Sequence, residues 1–407
     1  MSFAFSVKKY GDGKTSVSVF FLGPELQQKL TFSFSTVIID RLTFLSTGDQ
    51  MDDTLRPEKQ VGRSLLRFVL RLMAVLLSTL AVLAVLLLCA IFIICRGGSE
   101  SARDYFVRSV KETSAIGFLA DIFLTPAEVE AIVNPPVLEL EEKTDTSLVA
   151  VSQPEKHEDG PQADAWGYVD EDGDGLILVP IKGGSYSGYM LIVLDPSRVV
   201  LGCKPESIAD KGYTVQQFVE MADGVAGING GGFVDPNGMG DGSVPDTLIV
   251  TGGKIYNGGS GVGKGFVGID SDYILHVGFK STEDVREWDI QEGCGYGPIL
   301  VINGEMVPEE NLKSGLNPRT AIGQRSDGAI LMLVIEGRQP SRLGASYVDE
   351  AELMLRFGAV NACNLDGGSS TMMWFNGEYI NNSASVIGIR PIPTSFIVLK
   401  EGRNGNG

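Results

Sequence analysis

Two short stretches of the sequence place a polar side chain and consecutive glycines directly after an apolar run. They are VAGINGGGF at residues 225–233 and VNACNLDGGSS at residues 360–370. A segment with a helix-capping pattern precedes each stretch, so each polar residue is expected where a short strand ends, a common location for site residues. Glycine permits positive φ, which lets successive N–H groups converge on an anion. A tight turn explains one such stretch, but two with the same arrangement favour a functional site.

Carboxylates and arginines beside these turns could supply the remaining chemistry. Asp366 and Glu336 are the predicted nucleophile or base, with Asp241 and Asp246 as weaker candidates. Hydrogen bonds from the turn after Asp366 are expected to keep it ionised. Glu336 has an alternative role in a structural ion pair with a nearby arginine.

Arginine side chains can bind two phosphate oxygens at once, so the arginines among these motifs predict phosphate recognition. Arg319 has the alternative role of anchoring a carboxylate within the fold. The predicted substrate-binding set combines these arginines with turn glycines and polar side chains: Asn229, Gly230, Gly231, Arg319, Thr320, Arg338, Gly367, Gly368, Ser369, Ser370 and Arg390.

The composition excludes several other classes of protein. The formal net charge of -18 argues against general affinity for nucleic acid. The chain has 2 histidines, which makes a multi-histidine metal site or a serine–histidine triad a poor explanation. The 5 cysteines show neither metal-site spacing nor the density of a disulfide scaffold, so buried free thiols are favoured over a single bridge.

A membrane span is predicted at residues 72–95, which contain no charged residue. A helix needs about 20 apolar residues to cross a bilayer core. Basic residues crowd the N-terminal side of this run, so the positive-inside bias places the N-terminus in the cytoplasm and the remainder outside. An uncleaved anchor is favoured over a signal peptide because the run is long and no small-x-small site follows it.

The predicted organisation has four parts. Residues 1–71 form a cytoplasmic tail, in which Met51 is a possible true start, and residues 72–95 form the span. Residues 96–165 form a helical stalk, with a capping box at Thr125, followed by an acidic linker at about 139–160. Residues 166–401 contain many short apolar runs and two capped helices, which predict a strand-rich α+β domain rather than regular βαβ alternation.

Five motifs in order resemble the phosphodiester glycosidase family: NGGGF at 229–233, NPRTAIG at 317–323, VIEGRQ at 334–339, NLDGGSSTM at 364–372 and IRPIPT at 389–394. The resemblance covers about residues 168–400 and implies hydrolysis of a sugar joined through its anomeric carbon to a phosphodiester. With the predicted span, it implies a membrane-anchored extracytoplasmic hydrolase acting on a cell-surface or exopolysaccharide-type glycan. The alternative is a binding module for phosphorylated polysaccharide that has lost turnover. Retention of Arg319, Glu336 and Asp366 together favours the enzyme.

An acidic stretch raises the question of a metal. Asp170, Asp172 and Asp174 resemble the front of a calcium loop, but the twelfth position is Ile181 where an EF-hand needs glutamate. A plain acidic turn is favoured over a looser calcium site. No cofactor is expected to be required.

Overall fold

The computed structural model describes residues 2–9, 14–22, 29–35, 57–113, 116–135, 138, 140, 143–151, 163–204, 211–235, 240–257, 265–278, 281–339, 341–385 and 388–402. The possible start at Met51 lies outside the described residues. Contacts divide the chain into two units, Met1–Val85 and Leu86–Gly407. The predicted mixed, strand-rich fold is confirmed.

The N-terminal unit contains a three-stranded antiparallel meander and most of a long helix. The strands are β1 (Ser2–Lys9), β2 (Lys14–Leu22) and β3 (Lys29–Ser35). Helix α1 spans Pro57–Arg96, and its segment Leu65–Arg96 is long and apolar enough to cross a membrane.

A small helical stalk follows α1, comprising α2 (Glu100–Lys111), α3 (Phe118–Asp121) and α4 (Pro126–Val133). The predicted capping box is present at the start of α4, where the side chains and backbones of Thr125 and Glu128 bond reciprocally. The last turns of α1 pack on the stalk, because Ile91 and Cys95 are buried among its apolar side chains. Arg96 also pairs with Glu128 at 2.6 Å.

Part of the predicted linker packs on the domain that follows. Thr144 is buried, and its hydroxyl and the main chain of Val277 exchange hydrogen bonds of 3.0 and 2.9 Å. The N–H of Ala150 donates to the carbonyl of Ser326. Residues 143–151 therefore belong to the folded surface of the domain.

Three antiparallel sheets form the domain. The seven-stranded sheet contains β4 (Leu176–Lys182), β5 (Ser187–Val193), β13 (Ile299–Ile302), β14 (Glu305–Met306), β15 (Arg319–Arg325), β16 (Ile330–Glu336) and β17 (Ala359–Asn364), in the order β14-β13-β17-β15-β16-β5-β4. The second sheet contains β8 (Leu248–Thr251), β9 (Lys254–Asn257), β10 (Phe266–Asp270), β11 (Leu275–His276) and β12 (Ile290–Gly295), in the order β11-β10-β12-β8-β9. The third contains β6 (Val199–Cys203), β7 (Gly224–Asn229), β18 (Met373–Phe375), β19 (Glu378–Tyr379) and β20 (Thr394–Leu399), in the order β19-β18-β7-β20-β6.

Three helices pack beside the sheets: α5 (Val215–Met221), α6 (Thr282–Glu287) and α7 (Tyr347–Arg356). The predicted capping box at Thr214 is present, and Gly358 follows α7 with a φ of +87°. The central strands β15, β16 and β17 are buried along their whole length, so both faces of the seven-stranded sheet are covered. All five cysteines are free thiols, and of the three in the domain Cys294 and Cys363 are buried as predicted, whereas Cys203 is half-buried.

One predicted strand is much shorter than its apolar pattern suggests. Within the described part of the run YILHVGF, residues 273–278, the strand comprises only Leu275–His276. Tyr273 has a φ of +64°, and the carboxylate of Asp270 accepts hydrogen bonds from the N–H groups of Asp272 and Ile274. These bonds turn the chain where the strand would otherwise begin.

Candidate active site

One edge of the seven-stranded sheet gathers three of the predicted residues. Arg319 is the first residue of β15, Arg338 follows the end of β16 by two residues, and Asp366 follows the end of β17 by two. Both β16 and β17 run antiparallel to β15, so their ends meet its beginning. The topology therefore brings together residues that lie up to 47 positions apart in the sequence.

The two glycine stretches also meet at this edge. The Asn229 amide, at the end of β7, donates to the carbonyl of Asp366 and accepts from the hydroxyl of Thr320 at 2.8 Å. The N–H of Asp366 donates to the carbonyl of Gly230 at 3.1 Å. Asn229 is fully buried, so it connects the end of β7 to β15 and to the turn after β17 and does not face a ligand.

The first glycine turn does not present its N–H groups to an anion, contrary to the prediction. Those of Gly230 and Gly231 donate to the carbonyl and hydroxyl of Thr394 at 2.9 Å each. The N–H of Gly232 donates to the carbonyl of Gly295. A Cβ on Gly231 would lie 2.6 Å from that carbonyl oxygen. These glycines therefore serve close packing.

The second glycine turn does line a pocket. A cavity of about 280 Å³ opens beside it, near the lower end of the range of about 300–1,000 Å³ for ligand pockets. Its lining is dominated by charged and polar side chains: Glu112, Phe233, Asp235, Asp246, Tyr296, Asn317, Arg319, Arg338, Tyr347, Asp366, Gly367, Gly368, Ser369, Ser370 and Arg390.

Asp366 is the most perturbed aspartate of this pocket. Burial raises its pKa to about 7, although hydrogen bonds from Ser370 and Gly367 and the charge of Arg390 lower it. Desolvation therefore outweighs the hydrogen bonds from the turn that are expected to keep Asp366 ionised. A carboxyl group with a pKa near neutrality can exchange a proton at physiological pH.

A second carboxyl group faces the same pocket. Burial raises the pKa of Asp246, whose negative charge in turn raises that of Asp366. Burial also raises the pKa of the Tyr296 hydroxyl well above its ordinary value, so this phenol stays protonated and can donate. Two coupled carboxyl groups with a neutral donor beside them form the acid–base arrangement typical of hydrolytic sites.

Arg390 and Arg338 flank the second glycine turn. Arg390 pairs with both carboxylate oxygens of Asp235 at 2.7 and 2.8 Å and donates to the hydroxyl of Ser369. Arg338 approaches Gly368 so closely that a Cβ there would lie 2.9 Å from its Nη2. Their positive charges lie where a phosphate group beside the turn would need them.

Arg319 is also buried, with 4% of its surface exposed. It stacks over the Tyr347 ring at 4.0 Å and donates to the carbonyls of Ala345 and Gly315. Arg319 also forms an ion pair with Glu112 at 2.9 Å, which agrees with its alternative role of anchoring a carboxylate within the fold.

Three other candidates lie away from this pocket. Glu336 contacts Ser187, Arg342 and Asn382, and although burial raises its pKa, hydrogen bonds from Asn382 and Ser187 bring it below its ordinary value. The carboxylate of Asp241 accepts a hydrogen bond from the N–H of Ser243. The hydroxyl of Thr320 donates to the side-chain oxygen of Asn229. The structure therefore favours Asp246 over Glu336 as the partner of Asp366.

The acidic stretch forms a turn closed by its own carboxylates. Asp170 accepts from the N–H groups of Gly173 and Gly175, and Asp174 accepts from that of Leu176. One oxygen from each of Asp170, Asp172 and Asp174 lies within 4.8 Å of the others. These hydrogen bonds agree with the favoured acidic turn, and calcium binding stays a prediction.

A larger, more open cleft of about 770 Å³ is lined by Lys204, Lys211, Tyr213, Thr214 and neighbouring residues. Its described lining contains a single carboxyl group, that of Glu220. It lacks the coupled carboxyl groups that mark the smaller pocket, which is therefore the candidate site.

Sequence reasoning missed Glu112, Asp235, Tyr296 and Tyr347 and underrated Asp246. Tyr296 directly follows β12 and is flanked by glycines, a pattern that could have indicated a site residue at the end of a strand. Glu112 lies in the stalk, more than 200 residues from Arg319, and no local pattern could connect the two.

Comparison with known proteins gives this pocket a family context. Residues 222–399 match the phosphodiester glycosidase family. The SPbeta prophage-derived uncharacterized protein YomE of Bacillus subtilis is 44% identical over 114 residues, covering 28% of this chain and 17% of that protein. N-acetylglucosamine-1-phosphodiester alpha-N-acetylglucosaminidase from Bos taurus is 29% identical over 152 residues, covering 32% of this chain and 28% of the relative. The chain thus spans less than a third of the length of these two relatives.

The human protein of the same name is 27% identical over 218 residues, covering 47% of this chain and 40% of the relative. Among solved structures, the catalytic domain of the zebrafish protein of that name is similar with a TM-score of 0.48 and 21% identity. That similarity covers 59% of this chain and 88% of the other.

Proposed function

We propose that this chain, whose residues 222–399 match the phosphodiester glycosidase family, hydrolyses a sugar-1-phosphodiester at the bond between the anomeric carbon and the phosphate oxygen. The observation that carries the proposal is that Asp366 and Asp246, both with pKa values raised by burial, line the same pocket as Arg319, Arg338 and Arg390.

The proposed reaction adds one water molecule and breaks one C–O bond. The products are the free sugar and a phosphomonoester, which leaves with the electrons of the broken bond. Phosphate leaves more readily than a sugar alkoxide, so the reaction makes little demand for a strong acid. Asp366 acts either as the nucleophile that attacks the anomeric carbon or as the base that takes a proton from the attacking water. Asp246 takes the proton of the water in the first case and donates a proton to the leaving oxygen in the second.

The arginines support the leaving group. Arg338 and Arg390 face the turn that carries Ser369 and Ser370, so two cations and two hydroxyls surround the proposed phosphate position. Tyr296 can donate to the sugar or to the leaving oxygen. The net charge of the chain is negative, so binding of a phosphodiester would depend on direct hydrogen bonds from these arginines and hydroxyls.

We infer further that α1 anchors the chain in a membrane, with the domain outside the cytoplasm acting on a phosphodiester-containing glycan of the cell surface. The length and apolar composition of α1 and the basic residues before it support this location. The relatives' name makes N-acetylglucosamine-1-phosphodiesters the first substrates to test.

The proposal is tested by incubating the full chain, purified in detergent, with a panel of sugar-1-phosphodiesters in ¹⁸O-labelled water. We expect free sugar to be released and to carry the label. Label in the phosphomonoester would show P–O cleavage and contradict the proposal. Phosphodiester binding without any turnover would instead support the alternative of a non-catalytic module.

A further inference from the structure

The wall of the pocket includes one residue from outside the matched family region. Glu112 follows directly after α2, and the stalk places it against the loop before β15. There the N–H of Leu316 donates to the hydroxyl of Ser109 at 3.0 Å. A Cβ on Gly315 would lie 2.3 Å from the backbone nitrogen of Ser109, so only glycine allows this approach.

Three donors converge on the Glu112 carboxylate. Its Oε2 accepts from Nδ2 of Asn317 at 2.7 Å and from Nη2 of Arg319 at 2.9 Å. Its Oε1 accepts from the N–H of Gly315 at 3.0 Å. These three hydrogen bonds hold the carboxylate of Glu112 in one position, and they also fix the positions of the three donor groups.

Glu112 also reaches Arg338 through Asn317. A carboxylate can only accept hydrogen bonds, so it determines that the NH₂ end of the Asn317 amide points toward Glu112. Oδ1 then faces Arg338, where it accepts from Nε at 3.3 Å and Nη2 at 3.2 Å. The main-chain oxygen of Glu112 accepts a further bond from Nη2 of Arg338 at 2.9 Å.

The charge balance of Arg319 also depends on Glu112. Glu350 is fully buried nearby, and neither of its carboxyl oxygens has a hydrogen-bond partner among the described residues. Burial raises the pKa of Glu350 well above its ordinary value, which favours the neutral form of this side chain. Glu112 is the carboxylate that contacts Arg319 directly.

We propose that Glu112 is a positioning residue of the active site, which orients Asn317 and holds Arg319 and Arg338 in place for a phosphate group. The proposal rests on the proposed function, and it makes the stalk a structural part of the site. A chain that kept only residues 222–399 would lack this support.

The test measures the affinity of the full chain for inorganic phosphate by calorimetry, alongside melting temperature and KM. Glu112→Gln keeps the size of the side chain and removes its charge. We expect phosphate affinity to fall by about 10- to 100-fold and KM to rise correspondingly, with a smaller change in kcat. Glu128→Gln is the matched control, because Glu128 lies in the same stalk but pairs with Arg96 outside the pocket. It is expected to bind phosphate normally.

A double-mutant cycle tests the connection through Asn317. In an Arg338→Lys background, Glu112→Gln should cost less phosphate affinity than it does in the wild type, and fully additive losses would contradict the connection. If Glu112→Gln does not fold, Glu112→Asp keeps the charge on a shorter side chain and should show a smaller loss of affinity.

Two outcomes would overturn the proposal. Unchanged phosphate affinity with a lowered melting temperature would make Glu112 structural only, and tighter binding would mean that it competes with phosphate instead of supporting the site. Phosphate binding is measured without turnover, so a wild type that binds phosphate but hydrolyses nothing contradicts the proposed function alone.

Discussion

The two carboxyl groups of the pocket differ in how their charge is balanced. Hydrogen bonds from Ser370 and Gly367 and the charge of Arg390 lower the pKa of Asp366, whereas the pKa of Asp246 is lowered by a hydrogen bond from its own backbone N–H. Burial works against ionisation of both. Ionisation of the buried Asp366 and Asp246 therefore lowers the stability of the folded state, at the position where the proposed reaction needs ionisable groups.

This cost predicts a pH-dependent effect of Asp366→Asn on stability. The folded-state pKa of about 7 lies above the ordinary value of 3.8, so the folded state binds the proton more tightly than the unfolded state does. The contribution of Asp366 to stability is therefore present at low pH and lost as pH rises from about 4 to about 7. Above pH 7, Asp366→Asn should increase the free energy of unfolding by about 2–4 kcal/mol. Equal stabilisation at pH 4 and pH 8, measured by urea unfolding, would contradict the raised pKa.

The arginines should respond differently to replacement by lysine. Arg319 has three hydrogen-bonded neighbours and a ring beneath it, so Arg319→Lys should lower both the melting temperature and phosphate affinity. Arg338→Lys, beside the turn, should raise KM by about 10- to 100-fold with a smaller effect on the melting temperature. Wild-type kinetics in a folded Arg338→Lys protein would remove it from the site.

Much of the site could be predicted at the residue scale because its polar residues end apolar strands. That signal identified Asp366 and the glycine turn with Ser370 that follows it, whereas the three arginines were predicted because arginines in these motifs can bind phosphate oxygens. It failed for Glu336, which ends a strand at the same sheet edge but turns its carboxylate toward Asn382 and Arg342. It also missed Glu112 and Tyr296, because their roles depend on packing between segments far apart in the sequence.

At the scale of elements, the two glycine turns look alike in sequence but do different work. The first makes its N–H bonds within the fold and allows close packing, whereas the second lines the pocket. Periodicity and capping residues predicted most strands of the domain and the capped helices α4, α5 and α7, but they did not identify the capping box at Ser281 that starts α6. They could not show which turn would face a ligand, since that depends on how β7 and β17 meet.

Gly231→Ala tests the packing role of the first turn. A Cβ there would overlap the carbonyl of Gly295, so the free energy of unfolding should fall by about 1–3 kcal/mol. Gly184→Ala is the control, because a Cβ at Gly184 meets nothing within 4 Å. Unfolding curves that match for the two variants would show that the turn tolerates a side chain.

At the scale of the whole molecule, the stalk and domain form one unit that begins at Leu86. The contacts of Glu112 and of residues 143–151 lie inside it. A chain that begins at residue 162 would lack the contacts of Glu112 and those of residues 143–151. Kinetic work therefore belongs on the full chain in detergent or in membranes.

Membrane orientation is a further prediction at this scale. The basic residues before residue 72 place the N-terminus inside, so protease added to intact cells should digest the domain that follows Arg96. Recovery of an intact domain from cells whose N-terminal tail has been digested would reverse the orientation.

The central claim is that Asp366 performs the chemistry of glycosyl phosphate cleavage, and its most direct test is the turnover of Asp366→Asn. The substitution keeps the shape of the side chain while removing the ionised form that a nucleophile or base requires. We expect kcat to fall by about three decades or more, with phosphate binding preserved and the protein folded. In the wild type, kcat/KM should rise with pH up to about 7 as the carboxyl group ionises, and this limb should be absent from the residual activity of the variant. Near-normal turnover by a folded Asp366→Asn protein would contradict the account.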